Sequence, residues 1–531
     1  MPWWQAQHRW QARHRRLSNP RQKGRFPCKP IPLSLSFAAV DWGSRVVSRV
    51  APKLRKAWLG AWRLGTIAAG AGLCAALTIA VPRVAVAETI ETALAKAYQN
   101  NPQLNAQRAI VRQADEGVPQ ALSGYRPTIS ANASVGREYT DTKQQIPPLP
   151  PSLPNGISFE AKGLSTPRSV GLNGTQTFLN GNRTANSVRK AESQVSASRE
   201  TLRMMEQSVL LAAATVYMDM SRDTANLQVQ QNNVRVLDRT LQDTRNRFNA
   251  GQVTATDVAQ AEAQLAAGQA TLHAAESILM TTRANYRRII GVEPAGLAPA
   301  SPVDRLAPST LNAAIALGIE ANPSVTAALY GVDVAQLQVK IAEGALWPTL
   351  TGQYSIQNQY APQLLTPHLF TNTVALNLSV PIYQGGAEYS AIRLDKEALD
   401  QQRLNVDQVR DQARADVVQA WGQLQAAKAQ VEAATRENEA AARALTGVRN
   451  EAMAGQRTTQ DVLNAEQVLV NARQSLIVAQ HDRVVASYSL LSAVGRLSVS
   501  ELHLPVTIYD PQVHYHQVRD SWFGMRTPSG Q

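Results

Sequence analysis

The polar residues of this sequence that are best placed for chemistry follow two glycine-containing segments. The two groups are Thr256 and Asp257 after Gly251, and Arg457, Asp461 and Asn464 after Gly455. An acidic side chain in the first turn of a helix is favoured by the helix dipole, and a nearby threonine can cap the helix N-terminus. The candidates for the caps are Thr254 or Thr256 in the first group and Thr458 or Thr459 in the second. These residue types therefore indicate helix capping and ion pairing.

The other candidates for chemistry give weaker signals. The sequence has no Gly-rich phosphate loop, no nucleophile elbow and no Cys/His cluster. His514 and His516 have a spacing that could bind a metal, but further ligands are missing around them in the sequence. His273 and His481 fall in helical patterns, where surface or packing roles are expected. We therefore expect no enzyme activity, no cofactor and no metal site.

The net charge of +13 is concentrated in the first 87 residues. This segment has 15 lysine and arginine residues and one acidic residue, Asp41, so the rest of the chain is almost neutral and a nucleic-acid partner is not expected. An apolar run from Leu64 to Val81 follows basic residues and is followed by Ala85-Val86-Ala87. This order is typical of a secretory signal, and we expect cleavage before Glu88, with a transmembrane anchor as the alternative.

Both cysteines, Cys28 and Cys74, lie in the segment that we expect to be removed. The mature chain would therefore contain no thiol. This absence excludes disulfides and thiol catalysis, and it suits an exported protein in an oxidising compartment.

The rest of the chain is internally duplicated. Asn101-Pro102 recurs as Asn322-Pro323 with an offset of 221 residues, and Ala250-Gly251-Gln252 recurs as Ala454-Gly455-Gln456 with an offset of 204. The offset drops by 17, so the first copy carries an insertion between residues 128 and 250. A repeat of this length is far longer than the roughly 20–50 residues of a solenoid unit. It indicates two copies of one structural half, related by a pseudo-two-fold axis.

The duplication divides the chain into five segments. They are an N-terminal extension with a signal peptide (1–87), a first structural repeat (88–294), a linker (295–308), a second structural repeat (309–499) and a C-terminal tail (500–531). We expect the tail to be partly ordered. Each repeat is predicted to contain a short helix, a longer helix, two strands and two long helices joined by a turn.

The strand predictions rest on a change of hydrophobic period from 3.6 to 2. The predicted strands span about 127–140 and 168–180 in the first repeat, and about 348–360 and 372–383 in the second. One face of each is apolar and the other polar, and about ten residues suffice to cross a bilayer at a tilt of about 45°. A soluble sandwich with one wet face is the alternative. We place the 17-residue insertion in the Pro-rich loop around residues 147–151.

The long helical patterns span 182–290 and 387–495, each interrupted by a turn. A helix of about 60 residues is roughly 90 Å long, whereas globular helices average about 11–12 residues, so these rods predict coiled-coil packing. A bilayer core is only about 30 Å thick, so the rods must project into water. Strands in lipid must close into a barrel, and four strands are too few. We therefore expect two or three chains to share one barrel.

Several of these residues resemble the TolC family of outer-membrane efflux proteins. The similarity is carried by the segment from Gly455 to Ala465 with Leu469, Ala472 and Arg473, by Trp347-Pro348, by Pro381–Gly386 and by the two Asn-Pro pairs. It covers roughly residues 89–500. The resemblance implies a mixed α and β fold: a trimer in which four strands per chain form a 12-stranded outer-membrane barrel, continued by a long coiled-coil α-helical barrel across the periplasm.

The resemblance also implies partners and a gate. The partners are a periplasmic adaptor protein, an inner-membrane ABC or proton-driven transporter, and outer-membrane lipid. Arg457 matches the family's gate arginine, Thr256 and Asp257 match its partners, and Gly251 and Gly455 match the helix turns that gather at the periplasmic tip. By the same resemblance, Asp461 matches the first of two aspartates that form a cation-sensitive ring, Asn464 stands at the position of the second, and Ala452 stands at the position of a tyrosine that contacts the gate aspartate.

The predicted function is a passive exit duct of an efflux pump or a type I secretion system in the outer membrane of a Gram-negative bacterium. The rival is an exported structural coiled-coil protein of the cell surface. That rival explains the long helices but not the amphipathic strands in both repeats. A periplasmic adaptor would require a lone coiled-coil hairpin and no duplication.

Overall fold

A computed structural model describes residues 87–146, 157–364, 366–528 and 530. The predicted signal segment lies outside these residues except for Ala87, and so does the Pro-rich loop that joins the first two predicted strands. The elements described below are numbered in chain order.

Both repeats have two helices, a sheet hairpin and two long helices in the same order, and the first repeat has two additional strands within its hairpin. The first contains α1 (Ile90–Asn100), α2 (Pro102–Leu122), β1 (Thr128–Val135), β2 (Glu138–Ile146), β3 (Ile157–Ser165), β4 (Arg168–Asn180), α3 (Arg183–Asn249) and α4 (Ala255–Ile290). The second contains α5 (Leu311–Ala321), α6 (Pro323–Glu343), β5 (Thr349–Gln363), β6 (Thr366–Ser379), α7 (Ala387–Met453) and α8 (Thr459–Ala493), and α9 (Pro511–Val518) lies in the tail. The mixed α and β architecture with an internal duplication is confirmed.

The repeated Asn-Pro pair joins the beginning of one helix to the end of another. The side-chain oxygen of Asn101 accepts from the backbone N–H of Gln103 at 2.9 Å and caps α2, while its amide nitrogen donates to the carbonyl of Ile289 at 3.2 Å. Asn322 caps α6 in the same way and donates to the carbonyl of Ala493 at 3.3 Å. Each asparagine therefore satisfies orphan groups of two helix ends at once.

A glycine in the left-handed conformation follows each of the helices α4 and α8, next to the ends that Asn101 and Asn322 bind. Gly291 has φ of 88° and Gly495 has φ of 81°. A Cβ on Gly291 would lie 2.9 Å from the Cβ of Asn100, and one on Gly495 would lie 2.7 Å from the carbonyl oxygen of Ala321. Only glycine combines the left-handed conformation with so close an approach. The recurrence of these glycines in the sequence thus reflects a closed junction in each repeat.

Within the described residues, four strands form an antiparallel sheet in the order β1-β4-β5-β6. One row across it runs Ser130, Asn173, Ser355, Thr373, and the neighbouring row runs Ile129, Gly174, Tyr354, Val374. Successive residues of a strand point to opposite faces, so polar and apolar residues separate. The apolar face collects Ile129, Ala131, Ala133, Val170, Leu172, Leu350, Tyr354, Ile356, Val374, Leu376 and Leu378.

The first hairpin contains the insertion. Ala131 pairs with Leu172, and Gly352, 221 residues after Ala131, pairs with Leu376, 204 residues after Leu172. The drop in offset therefore falls between the two strands of the first hairpin, as expected. The segment is not merely a loop, because β2 and β3 pair with each other as a separate two-stranded ribbon among the described residues.

Two predicted strand ranges differ from the structure. The range 127–140 is broken after Val135, because the chain leaves the four-stranded sheet there and enters the ribbon with β2. The range 372–383 begins too late and ends too late. β6 already pairs with Gln363 at Thr366 and stops at Ser379, two residues before Pro381, which has no N–H for the ladder.

The helices pack around α3, which contacts α2, α4, α6 and α8. Its residues Leu210 and Tyr217 are fully buried in the main apolar cluster, together with Tyr286 of α4 and Tyr488 of α8. The Tyr217 hydroxyl lies 2.6 Å from the carbonyl oxygen of Ala298, so the linker is tied to the same core. Among the helices in the described ranges, none is both long and apolar enough to cross a membrane.

A buried histidine connects α3 and α8. Nε2 of His481 lies 3.0 Å from Asp219, and its Nδ1 lies 2.8 Å from Asp482. Burial by itself lowers the pKa of His481, but the hydrogen bonds to the two aspartates outweigh it and raise the pKa above the ordinary value. Burial likewise acts to raise the pKa of Asp219, yet His481 and Arg222 hold it below the ordinary value. His481 therefore has the packing role expected from the sequence, with a charge that depends on pH.

We predict that His481→Gln reduces the pH dependence of stability. Because the folded-state pKa of His481 is raised, its charged form stabilises the fold fully below the unfolded pKa of about 6.5, and this contribution is lost as the pH rises through the folded pKa. A hydrogen bond to a charged group contributes about 1.5–3 kcal/mol, so the variant should lose roughly 2 kcal/mol of unfolding free energy in mild acid and less in mild base. Denaturant unfolding followed by circular dichroism at both pH values measures this difference.

The matched control is His273→Gln, which alters an exposed histidine on α4 that pairs with Glu276. It should leave the unfolding free energy nearly unchanged at both pH values. If His481→Gln kept the pH dependence of the parent chain, the assignment of that dependence to His481 would be wrong.

Candidate functional site: the two helix turns

Two tight turns reverse the long helices and carry the polar residues singled out in the sequence. Gly251 follows α3 with φ of 70°, and Gly455 follows α7 with φ of 76°. The N–H of Gly251 donates to the carbonyl of Phe248 at 2.9 Å, and that of Gly455 donates to Ala452 at 3.1 Å. The left-handed glycine lets the chain satisfy the last carbonyls of one helix before the next begins.

The next helix begins with a capping box in both repeats. Thr254 and Thr458, not Thr256 and Thr459, are the caps, and their hydroxyls accept from the N–H groups of Asp257 at 3.3 Å and Asp461 at 3.2 Å. Each aspartate in turn accepts from the backbone and hydroxyl of its threonine. These hydrogen bonds lower the pKa of both carboxyls. Capping of α4 and α8 is thus one role of the two aspartates.

Arg457 is held next to the second turn by an ion pair. Its Nε donates to Glu451 at 2.9 Å, and both side chains are about half exposed. The bond to Glu451, with the charge of Asp461, raises the pKa of Arg457. Thr256 and Asp257 lie on the other turn, and among the contacts described within one chain Arg457 is bonded to Glu451 rather than to either of them.

Both turns border one groove of about 650 Å³, so they lie at the same end of the helices. Gln252 of the first turn and Thr459 of the second face it, and Ala452 leaves it open where the resemblance suggests a tyrosine. Asn464 lies one turn into α8 and accepts from Gln460 at 2.9 Å. The two turns that carry the predicted residues therefore lie at one tip, although the predicted gate residues themselves do not line the groove.

The groove contains an ion pair that our sequence reasoning missed. Arg449 lies 2.8 Å from Glu466, which is 6% exposed, and the first repeat holds the equivalent pair Arg245 and Glu262 at 2.6 Å. Both pairs link the helix before a turn to the helix after it. The signal was present in the sequence, because an arginine precedes a glutamate by 17 residues across each turn and both positions obey the 204-residue offset.

The polar contacts described at the tip are ion pairs and helix caps. In the described part of the chain, no group of three or more His, Cys, Asp and Glu side chains is arranged to hold a metal ion. The half-exposed cations and carboxylates at the tip can exchange partners at little cost, because an exposed ion pair contributes only about 0–1 kcal/mol to the free energy of folding. The arrangement suits a contact that must form and break.

Comparison with known proteins agrees with this architecture. The model of the outer membrane efflux protein family matches residues 93–292 and 315–496. The outer membrane efflux protein BepC of Brucella suis is 39% identical over 456 residues, 86% of this chain and 95% of that protein. The outer membrane protein TolC of Vibrio cholerae is 28% identical over 56% of this chain and 66% of its own length.

A solved structure gives the same picture of the fold. The CmeC outer membrane channel of Campylobacter jejuni superposes with a TM-score of 0.67 and 17% identity, over 81% of this chain and 89% of that one. The likeness in fold, the match in both repeats and the identity to BepC all point to one assignment. The chain belongs to the outer membrane efflux protein family, the TolC family that its repeated residues indicate.

Proposed function

We propose that this chain is one protomer of a homotrimeric passive duct across the outer membrane and the periplasm. The observation that carries the proposal is the cross-strand register of the sheet, which gives one apolar and one polar face. The apolar face suits lipid and the polar face suits an aqueous lumen. Three chains would supply a barrel of 12 strands, in which β1 of one chain meets β6 of the next.

The long helices would continue this duct into the periplasm. α3 and α7 have 67 residues each, which corresponds to roughly 100 Å of helix, against a bilayer core of about 30 Å. The duct itself would perform no chemistry. A periplasmic adaptor and an inner-membrane ABC or proton-driven transporter would supply the energy, as an efflux pump or as a type I secretion system.

Oligomerisation is the first test of the proposal. The protein purified from outer-membrane fractions should migrate as a trimer in mild detergent and as a monomer after heating, because trimer contacts include backbone hydrogen bonds between strands. Gel migration and native mass spectrometry measure both states. Recovery of the chain as a soluble periplasmic monomer would instead favour the exported structural coiled-coil protein.

We also propose that the two turns form a gate at the tip. The two turns of each chain differ, since one presents Thr256 and Asp257 and the other presents Arg457, Asp461 and Asn464. In a trimer the two kinds of turn would alternate around the opening, so that a cation on one faces acceptors on the next. Arg457 is half exposed in its ion pair with Glu451 of the same chain, so exchanging Glu451 for such acceptors would cost little.

We predict that Arg457→Ala raises the conductance of the closed channel severalfold, because the contact between neighbouring turns loses its cation. Single-channel recording of purified trimers in planar bilayers measures the effect. The matched control is Glu451→Gln, which breaks the ion pair within one chain but keeps the arginine. It should leave the closed conductance near that of the parent channel.

The two variants separate a gate from a local ion pair. If both raised the conductance equally, the intrachain pair would be what matters and Arg457 would have no contact of its own across the tip. An unchanged conductance in Arg457→Ala would refute the gate role outright.

A further inference from the structure

The C-terminal tail is fixed to the first repeat by aromatic and charged contacts. The backbone N–H of Tyr509 donates to the Tyr98 hydroxyl at 3.1 Å. The Arg108 guanidinium lies 4.4 Å from the centre of the Tyr98 ring and 5.2 Å from that of Tyr509. After this clamp, α9 packs against α2. The tail therefore has a defined course over the helices.

A buried carboxylate secures α9. Nδ1 of His514 lies 2.9 Å from Asp115 of α2, which is fully buried, and Arg199 of α3 lies 3.8 Å from the other oxygen. Burial raises the pKa of Asp115, although His514 and Arg199 act in the opposite direction. His514 thus anchors the tail to α2.

The end of the tail reaches the base of the sheet. Arg126, two residues before β1 begins, donates to the carbonyl of Ser521 at 2.6 Å, and its guanidinium lies 4.6 Å from the ring centre of Trp522. Beyond this contact, the tail tip (residues 521–526) projects apolar side chains. Phe523 is 90% exposed and Met525 is 101% exposed.

The contact between Arg126 and Trp522 can be compared with the equivalent position in the second repeat. The 221-residue offset equates Arg126 with Trp347, which stands two residues before β5 and is 64% exposed. The second repeat therefore carries its own indole at the base of the sheet, whereas the first has an arginine in that place. Trp522 stacks on that arginine. The tail supplies the first repeat with the indole that the second repeat encodes locally.

We propose that the tail tip is an interfacial anchor that inserts Trp522, Phe523 and Met525 among the phospholipids of the leaflet nearest the helices. The proposal rests on the proposed function, since the sheet must lie in the membrane for its base to meet that leaflet. Tryptophan and phenylalanine favour the boundary between headgroups and acyl chains, and exposed apolar side chains gain free energy there.

Continuity and charge both identify lipid as the occupant. Ile129, one residue into β1 and 77% exposed, begins the apolar face only three residues after Arg126. Trp522 is thus held at Arg126, three residues before the apolar face that would contact acyl chains. Arg126 and Arg526 flank the tip and complement the phosphates of the headgroups.

Accessibility of a spin label tests the anchor in the intact trimer. Both cysteines of the chain precede Glu88, so the exported protein offers a thiol-free background if cleavage occurs where we expect. Single-cysteine variants Phe523→Cys, Val374→Cys on the sheet and Met280→Cys on α4 would be labelled and reconstituted in vesicles of phosphatidylethanolamine and phosphatidylglycerol. Val374 and Met280 are 76% and 73% exposed, which makes them matched references for lipid and water.

The label at position 523 should behave like that at 374: accessible to oxygen, and severalfold less accessible to a water-soluble nickel complex than the label at 280. A label at 523 as accessible to nickel as that at 280, with 374 protected, would overturn the anchor and leave the duct intact. Nickel access at 374 would contradict the membrane sheet itself, and the anchor with it.

Arg126→Gln tests what positions the tip. The substitution removes the cation beneath Trp522 and weakens the bond to Ser521, so nickel access at position 523 should rise severalfold while that at 374 stays low. Unchanged protection at 523 would show that Arg126 is not the positioning residue.

Discussion

A strand that lies in lipid must give every backbone N–H and C=O group a partner, because hydrocarbon offers no water to replace one. In the described part of this chain the sheet ends at β1 on one side and at β6 on the other. Both edges therefore need a neighbour that a single chain does not provide. Each repeat contributes one hairpin, and duplication doubles it, but only association of chains can complete the ring. A barrel shared between chains follows from this requirement, and we propose that three chains form it.

The helices can support such a ring because each repeat is closed on itself. Asn101 binds the end of α4 and Asn322 binds the end of α8 through equivalent hydrogen bonds, so every long hairpin returns to the helix that leads into the strands. Each sheet hairpin is thus attached to a helical unit of its own repeat, and the two helical units, which we call frames, are similar. Similar frames present their hairpins at similar angles, which is what an even ring of strands requires.

Local chemistry explains how much of this was predictable from the sequence. Asn-Pro helix starts, Gly turns and long helical periods act over a few residues, and the structure has them where the pattern puts them. The strand pattern found all four strands of the sheet but placed the end of β1 and both ends of β6 wrongly. The β2–β3 ribbon was missed because β2, Glu138–Ile146, is mostly polar and lacks the apolar alternation from which the strands were predicted. The pairing of Arg457 with Glu451 depends on the geometry of the turn between them, and the course of the tail depends on tertiary contacts; periodicity encodes neither.

The two repeats have similar backbones but different side chains at equivalent positions. These differences allow the two repeats to take different roles. Arg126 and Trp347 occupy equivalent places at the base of the sheet, and Glu262 and Glu466 occupy equivalent places near the tip, yet Glu262 is half exposed and Glu466 is buried. Closing the barrel requires a similar backbone path in the two repeats, but it does not require the same side chains at equivalent positions. The gate and the membrane anchor that we propose both use positions whose side chains differ between the repeats. The gate lies at the tip, and the anchor lies at the base of the sheet.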